Sequence, residues 1–369
     1  MTEHDSITVV MLSPTRDSVI ISNDAISGAD VRMLHFLRFC ESKNIRVHLI
    51  TNSYGEKILK GKVSADFTIV RVPSIVDDVA KLDVVKSFLL LPLLSLRALL
   101  SSKSCVIVGS TSLLPDAIPI SIVGVFGRTT WVYFHHWIHL DGLKELPRKL
   151  IQIASLSMLS ISGVNFLSLP SSLQFVSRLA GNDRVREFEN GVDLNAAKSS
   201  LKSSYDVDVL SVGRLSIKKG SRDIVEIWKR VLHLDPSRRL TIAGAIEDED
   251  FIEIIKKEGI DDSVKVLGPV SEDDKIRLFT AAKCFISASR EEGWGMAVSE
   301  ALAFGSRVVV YNLPAYEHLS GGINRVALGD YDSFARLVID GSKEVNFKTN
   351  LKDWEVVLKS ELDLFMRHE

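Results

Sequence analysis

Short runs of Val and Ile recur along this chain, each followed by a stretch long enough for a helix, and the series runs twice. Candidate buried strands lie at 7–12, 45–51, 67–72, 105–109 and 130–134, and 164–169 is expected to close this half. A second series begins at 207–212 and continues at 240–243, 264–267, 284–287 and 308–311. Val31, Leu34, Phe36, Leu37 and Phe39 recur with helical spacing, and further helices are expected at 220–234 and 248–259. A strand exposed on one side would alternate apolar and polar residues. Strands that are apolar throughout are instead covered on both faces, the pattern of parallel α/β sheets. The fold class expected is therefore α/β, with two similar doubly wound lobes and a cleft between them. The polar stretch at 181–184 puts the joint near Val185, giving lobes at 1–184 and 185–352. The amphipathic segment 354–366 reads as a terminal helix, expected within 353–369 and packing back on the first lobe.

A length of 369 residues accommodates two such lobes, and 46% hydrophobic with 25% charged residues gives each a core. The formal net charge of −2 supplies no global field for nucleic acid, so none is expected as a partner. Cys40, Cys105 and Cys284 are far apart, lie beside apolar residues and show no metal-ligand spacing. They read as core filler in a reducing compartment. The polar start Met1-Thr2-Glu3-His4-Asp5 does not read as a signal peptide, and a cytoplasmic protein is expected. The apolar run 88–100 contains Pro92 and Arg97 and is too short to span a bilayer. A buried helix is the favoured reading, with peripheral contact at a membrane surface beside it.

The fourth strand of the second series leads into Ser287-Ala288-Ser289-Arg290-Glu291-Glu292-Gly293-Trp294-Gly295-Met296-Ala297-Val298-Ser299-Glu300-Ala301-Leu302-Ala303-Phe304-Gly305. Gly293 and Gly295 let the backbone come close to a ligand. The N–H groups that open the following helix have no partners within it, and the helix dipole adds positive potential. Together they suit an anion, a phosphate above all. Glu292 stands before the helix and Glu300 one to two turns inside it, so each can hold a hydroxyl pair of a sugar or ribose. Two glutamates eight residues apart are also ordinary helix-surface charge; the complete string separates the two readings.

A second motif, Leu210-Ser211-Val212-Gly213-Arg214-Leu215-Ser216-Ile217-Lys218-Lys219-Gly220, ends a strand at Gly213 and enters a helix through a basic loop. Arg214 as a fork and Lys219 as a point charge can converge on a diphosphate. A basic loop in that position is as often a solvated turn.

Both strings resemble the family 4 glycosyltransferases. The E-x7-E signature of that family reads nearly as Glu292 and Glu300 do, and its V-G-R-x4-K-G matches at Arg214, Lys219 and Gly220. Asn190-Gly191-Val192-Asp193 is similar to its N-G-V-D, and Leu267-Gly268-Pro269-Val270-Ser271 to its turn near the nucleotide base. The segment 314–317 falls where an acidic residue commonly follows the last strand pair. The resemblance is strong over 190–317 and loose before it. It implies the GT-B architecture, two Rossmann-like lobes facing across a cleft. It also implies retaining, metal-independent transfer of a sugar from a nucleotide-diphosphate sugar to a hydroxyl of a glycan or lipid-linked glycan, with no cofactor.

In the scheme the resemblance implies, Arg214 and Lys219 hold the diphosphate, and fixed cations there replace a metal ion. Glu292, Gly293, Trp294, Gly295, Met296 and Ala297 grip the sugar, Glu300 holds the ribose, and Gly213 and Val270 complete the donor site. In the first lobe the family has a glycine-rich turn, where this chain has Ser27-Gly28-Ala29, and a sugar-contacting histidine. His135 in Phe134-His135-His136-Trp137-Ile138-His139-Leu140-Asp141 is the best match, with His136 second. Neighbouring ligands do not make a ready tetrahedral site, so no metal is expected there. Two departures, the thinned glycine turn and Arg307 in place of a common proline, motivate a non-catalytic nucleotide-sugar-binding subunit as the alternative. Another GT-B sugar-nucleotide enzyme, such as an epimerase, is a further one.

Overall fold

The computed structural model describes residues 6–12, 28–71, 80–135, 146–199, 206–340 and 350–366. They divide into two compact units: one takes the described residues up to Glu189 together with those from Val357, the other runs from Asn190 to Val356. The first unit contains β1 (Ser6–Met11), α1 (Gly28–Ser42), β2 (Arg46–Thr51), α2 (Ser53–Leu59), β3 (Asp66–Ile69), α3 (Ala80–Ser101), β4 (Val106–Gly109), α4 (Leu114–Val125), β5 (Thr129–Phe134), α5 (Leu146–Ile161), β6 (Asn165–Ser168), α6 (Pro170–Ala180) and β7 (Val185–Glu187). Its sheet is parallel, in the order β3-β2-β1-β4-β5-β6-β7.

The second unit contains α7 (Leu194–Ser199), β8 (Val207–Val212), α8 (Ser221–Leu234), β9 (Leu240–Ala243), α9 (Phe251–Lys257), β10 (Val264–Gly268), α10 (Glu272–Ala281), β11 (Ala282–Ser287), α11 (Met296–Ala303), β12 (Arg307–Tyr311), β13 (Ile323–Val326) and α12 (Tyr331–Ile339). Its parallel sheet has the order β10-β9-β8-β11-β12-β13. The last helix, α13 (Trp354–Phe365), starts in the second unit and continues in the first.

Both faces of the second sheet are covered, which is why its strands are apolar at successive positions. Val209, Cys284, Ile286 and Val309 pack with Trp228, Phe251 and Phe334 in one cluster. Their neighbours Leu210, Phe285, Val308 and Val310 pack with Val298, Leu302 and Tyr316 in another. The buried Trp228 places its polar edge safely by donating from Nε1 to Ser263 Oγ at 2.9 Å. Cys40 and Cys284 are buried, and burial pushes their thiols up to about 12 and about 11. Such thiols stay protonated and act as small hydrophobes.

Three elements differ from expectation. The first half closes on β7, not at 164–169: Val185–Glu187 pairs with β6, so the units change at Glu189–Asn190. Only Val185 of this three-residue edge strand is buried, so it carries no apolar run to read. Edge strand β13, Ile-Asn-Arg-Val, escaped notice for the same reason. The run 88–100 lies in α3, where Leu91, Ser95 and Leu99 are buried but Leu93 is 63% exposed, with Leu94 and Leu100 also exposed. From Leu90 onward the helix is thus half-buried rather than fully so. Among the described residues no helix is long and apolar enough to cross a membrane.

A buried cluster fixes α13 in the first unit. Arg32 donates to Glu361 and to the carbonyl of Glu189, Tyr133 donates to Glu361 Oε2 at 2.7 Å, and Phe365 lies against Phe36, Trp131 and Tyr133. Upstream, Val192 N donates to Lys352 O at 3.0 Å and Leu194 N to Asp353 Oδ2 at 3.2 Å. The Asn-Gly-Val-Asp motif thereby clasps the segment that leads into α13.

Candidate functional site

In the second sheet β8 lies between β9 and β11, and the chain leaves β8 towards β9 but leaves β11 towards β12. Connections that diverge at the carboxyl ends of neighbouring strands open a crevice between them, where ligands of such sheets bind. The two motif loops, Gly213 to Gly220 and Ala288 to Gly295, are the ones at this point.

Their backbones touch. Gly220 caps α8 in the left-handed conformation with φ 79°, and a Cβ there would run into the carbonyl of Ala288. Arg290 N donates to Lys218 O at 3.0 Å. These contacts bring Lys219 Nζ to 2.8 Å from Glu292 Oε1, with side chains 29% and 17% exposed, and Lys218 Nζ to 3.6 Å from Glu291. Arg214 lies on the exposed end of the same loop. The bond from Leu215 N to Ala245 O draws in the loop after β9, and Arg214 Nη1 meets Glu247 Oε1 at 3.0 Å. A cation that pairs loosely with an exposed carboxylate can exchange it for a phosphate at small cost.

Gly295 caps α11 with φ 86°, and a Cβ there would strike the ring of Tyr316. Of the two motif glycines it alone is left-handed. Among the described residues no side chain caps α11, which leaves the amides of its first turn, at Met296, Ala297 and Val298, available to an anion. Trp294 is buried and stacked on His318, with ring centroids 3.7 Å apart. Its indole packs the loop from behind. Burial raises the Tyr316 phenol well above its ordinary value, and the nearby Glu292 charge adds to this.

Glu300 sits in the second turn of α11 and meets Lys275 of α10 at 2.9 Å; Lys275 also reaches Glu272 at 2.8 Å. Burial raises the Glu300 carboxyl and Lys275 pulls it back. Burial lowers the Lys275 ammonium, but attraction to Glu300 and Glu272 outweighs it and holds the group above its usual value. Val270 lines a cavity of about 790 Å³ with Thr241, Leu267 and Asp274. Arg307 is buried and donates to the carbonyls of Leu337 and Val338 at the end of α12. Its place in the chain therefore has a structural account, the capping of a helix C-terminus by a cation.

The first sheet has its own switch point between β1 and β4. There Asp116, fully buried in the first turn of α4, accepts from Leu12 N, Ser110 Oγ, Thr111 N and Thr111 Oγ1 at 2.7–3.0 Å. His135, just past β5, donates from Nε2 to the carbonyl of Ser110 at 3.1 Å and stacks on Tyr133. A carbonyl only accepts, so Nε2 carries the hydrogen. Gly28 is the exposed first residue of α1. Ser27, His136 and the stretch from Trp137 to Asp141 lie outside the described residues. Among the described residues no group of three His, Cys, Asp or Glu could hold a metal ion.

Sequence reasoning did not assign Lys275, Glu247, Asp223 or Asp116. Each acts across a gap in the chain, and the one available hint, Glu272 and Lys275 one helical turn apart, reads as surface charge.

Solved structures cover nearly the whole chain. Anabaena Alr3699/HepE in complex with UDP and glucose aligns with TM-score 0.72 at 14% identity, over 97% of this chain and 98% of that one. Sucrose-phosphate synthase from Thermosynechococcus elongatus aligns with TM-score 0.74 at 12% identity, over 98% of each. The fold is GT-B, with two Rossmann-like units. Residues 194–343 match the family described as glycosyl transferases group 1. Among curated relatives, GDP-mannose:cellobiosyl-diphosphopolyprenol alpha-mannosyltransferase of Xanthomonas campestris is 29% identical over 147 residues, 39% of each chain. Mannosylfructose-phosphate synthase of Agrobacterium fabrum is 32% identical over 28% of this chain and 24% of its own. The match thus spans about two fifths or less of the length of these two relatives.

Proposed function

We propose that the protein is a retaining, metal-independent glycosyltransferase that moves a sugar from a nucleotide-diphosphate sugar to a hydroxyl of a glycan or lipid-linked glycan. The observation that carries this reading is the meeting of Lys219 and Glu292 at 2.8 Å, at the switch point of the unit that matches the group 1 family. One ligand can replace that mutual pairing on both sides, its diphosphate taking Lys219 and its sugar hydroxyls taking Glu292. Arg214 and the amides of Met296 and Ala297 add to the diphosphate contacts, Glu300 accepts from the ribose, and Val270 lies by the base. His135 is assigned to the donor sugar, and Gly28 to the diphosphate or sugar of the donor.

The cations stabilise the charge that develops on the leaving diphosphate, the contribution a metal ion would otherwise make. The bond from the anomeric carbon to the phosphate oxygen breaks and the bond to the acceptor oxygen forms on the same face. The acceptor proton passes to the departing phosphate oxygen. The names of the relatives support this reading: one uses GDP-mannose and a diphosphopolyprenol acceptor, and one solved neighbour holds UDP and glucose.

A lipid-linked acceptor accords with the exposed apolar residues Leu93, Leu94 and Leu100 of α3 and Leu150, Ile151 and Ile161 of α5, with exposed Arg97 and Lys103 beside the first set. Apolar side chains with basic neighbours suit an anionic lipid surface. Incubation with UDP-, GDP- and ADP-sugars and a lipid-linked acceptor, with the anomeric configuration of the product read by NMR, tests the reading. Retention supports it; an inverted product, or binding without turnover of any donor, contradicts it. Co-sedimentation with anionic vesicles tests the membrane contact separately, and protein left in the supernatant argues against it.

A further inference from the structure

The pair of loops that form the candidate donor site is held by a fork that neither motif includes. Arg290, two residues before Glu292, donates from Nε to Asp223 Oδ2 at 2.9 Å and from Nη2 to Asp223 Oδ1 at 2.7 Å. Asp223 is 2% exposed and lies in the first turn of α8, four residues after Lys219. Its carboxylate also accepts from Tyr331 OH of α12 at 3.1 Å. A bidentate guanidinium–carboxylate contact fixes direction as well as distance. Here it joins the element that carries Lys219 to the loop that carries Glu292, and the bond from Arg290 N to Lys218 O adds a backbone tie at the same place.

We propose that Arg290 and Asp223, braced by Tyr331, are positioning residues that set the spacing of Lys219 and Glu292 and thereby the affinity of the site for a nucleoside diphosphate. This rests on the donor-site reading above. Neither residue need touch the ligand: the Asp223 carboxylate is buried, and Nε and Nη2 of the guanidinium are both engaged with it. An ammonium cannot reproduce two parallel N–H contacts, so lysine at 290 does not substitute.

The test is calorimetric titration of UDP and of GDP into the full chain and into Arg290→Lys, Arg290→Met, Asp223→Asn and Tyr331→Phe, with ligand-free thermal unfolding measured alongside. The expected result is a Kd weakened about tenfold in both Arg290 variants and in Asp223→Asn, since displacing a positioned group by a fraction of an ångström costs that order. Tyr331→Phe, which removes one bond and keeps the fork, is expected to weaken Kd by about threefold and serves if Asp223→Asn does not fold. Variants that unfold at lower temperature yet bind with wild-type Kd would make the fork a stabilising contact only and overturn the proposal. Loss confined to the Arg290 variants, with Asp223→Asn and Tyr331→Phe at wild-type Kd, would mean that Arg290 contacts the nucleotide itself, and overturns it too. If the wild type binds neither nucleotide, ADP is titrated in the same way; binding of none of the three means that the donor-site reading fails and this proposal with it, an outcome visible before any variant is compared.

Discussion

Replacing Lys275 by methionine keeps most of the side-chain volume and removes the charge that faces Glu300. The two side chains are 19% and 22% exposed. Breaking a fully buried ion pair costs about 3–5 kcal/mol, and a fully exposed pair is worth about 0–1 kcal/mol, which places this mostly buried pair at roughly 2 kcal/mol. For a unit of this size each kcal/mol moves the midpoint by about 2–4 °C, so Lys275→Met is expected to lower Tm by about 4–8 °C at neutral pH. The loss depends on pH in a definite sense. Burial already holds the Glu300 carboxyl above its ordinary value, and Lys275 is the group that pulls it down. Without Lys275 the folded-state pKa climbs further. A carboxyl raised in this way contributes its full stability below its unfolded value of about 4.3, and that stability is lost as pH rises through the folded value. The deficit of the variant is therefore smaller at about pH 5 than at about pH 7.5. Scanning calorimetry of both proteins at the two pH values measures it. An equal deficit at both would refute the electrostatic argument and leave only the packing of the lysine stem.

Three further outcomes follow from the same structure. Lys219→Ala removes one charge-assisted contact to the diphosphate, worth about 1.5–3 kcal/mol, so UDP or GDP binding should weaken by about 10- to 150-fold in titration calorimetry; an unchanged Kd removes Lys219 from the site. Arg307→Ala should lower Tm through the loss of two bonds at the end of α12, orphaning the Leu337 carbonyl while Val338 O keeps its bond from Arg238 Nη2, and should leave nucleotide affinity as in the wild type; a loss of affinity without a loss of Tm would contradict the capping role. Burial pushes Asp116 up to about 7 against the pull of its four donors, so the proton it holds in the fold makes stability fall as pH rises from the ordinary Asp range towards 7. Thermal unfolding of Asp116→Asn should lack that slope; identical profiles for the two proteins would rule Asp116 out as its source.

Where an element buries both its faces, its sequence announces it: β8, β9 and β12 stand within a residue of their apolar runs. Edge strands β7 and β13 bury one side or less, and Val185-Arg186-Glu187 offers no pattern to read. Helix α3 was legible as a helix but not in its orientation, because a run that is mostly leucine, with only Ser95 and Arg97 polar, has no continuous polar face to say which side meets the core. In the candidate site, Lys219, Glu292 and the left-handed Gly295 were legible since each lies within one contiguous loop. What joins the loops was not. Asp223 and Arg290 are 67 residues apart, Lys275 and Glu300 are 25, and only the strand order brings such pairs together. Trp294 shows the converse: an aromatic in a binding motif invites a ligand contact, yet its ring is turned inward onto His318.

The central claim is that the loops after β8 and β11 hold the diphosphate of an activated sugar. Ligand-induced thermal stabilisation tests it most directly, with UDP-, GDP- and ADP-sugars screened against the wild type and Lys219→Ala, because a ligand that binds only the folded state raises its apparent stability. The account predicts that one nucleotide class raises the wild-type midpoint and leaves that of Lys219→Ala unmoved. If no donor stabilises the wild type, or if one stabilises both proteins equally, the diphosphate does not sit where these loops meet.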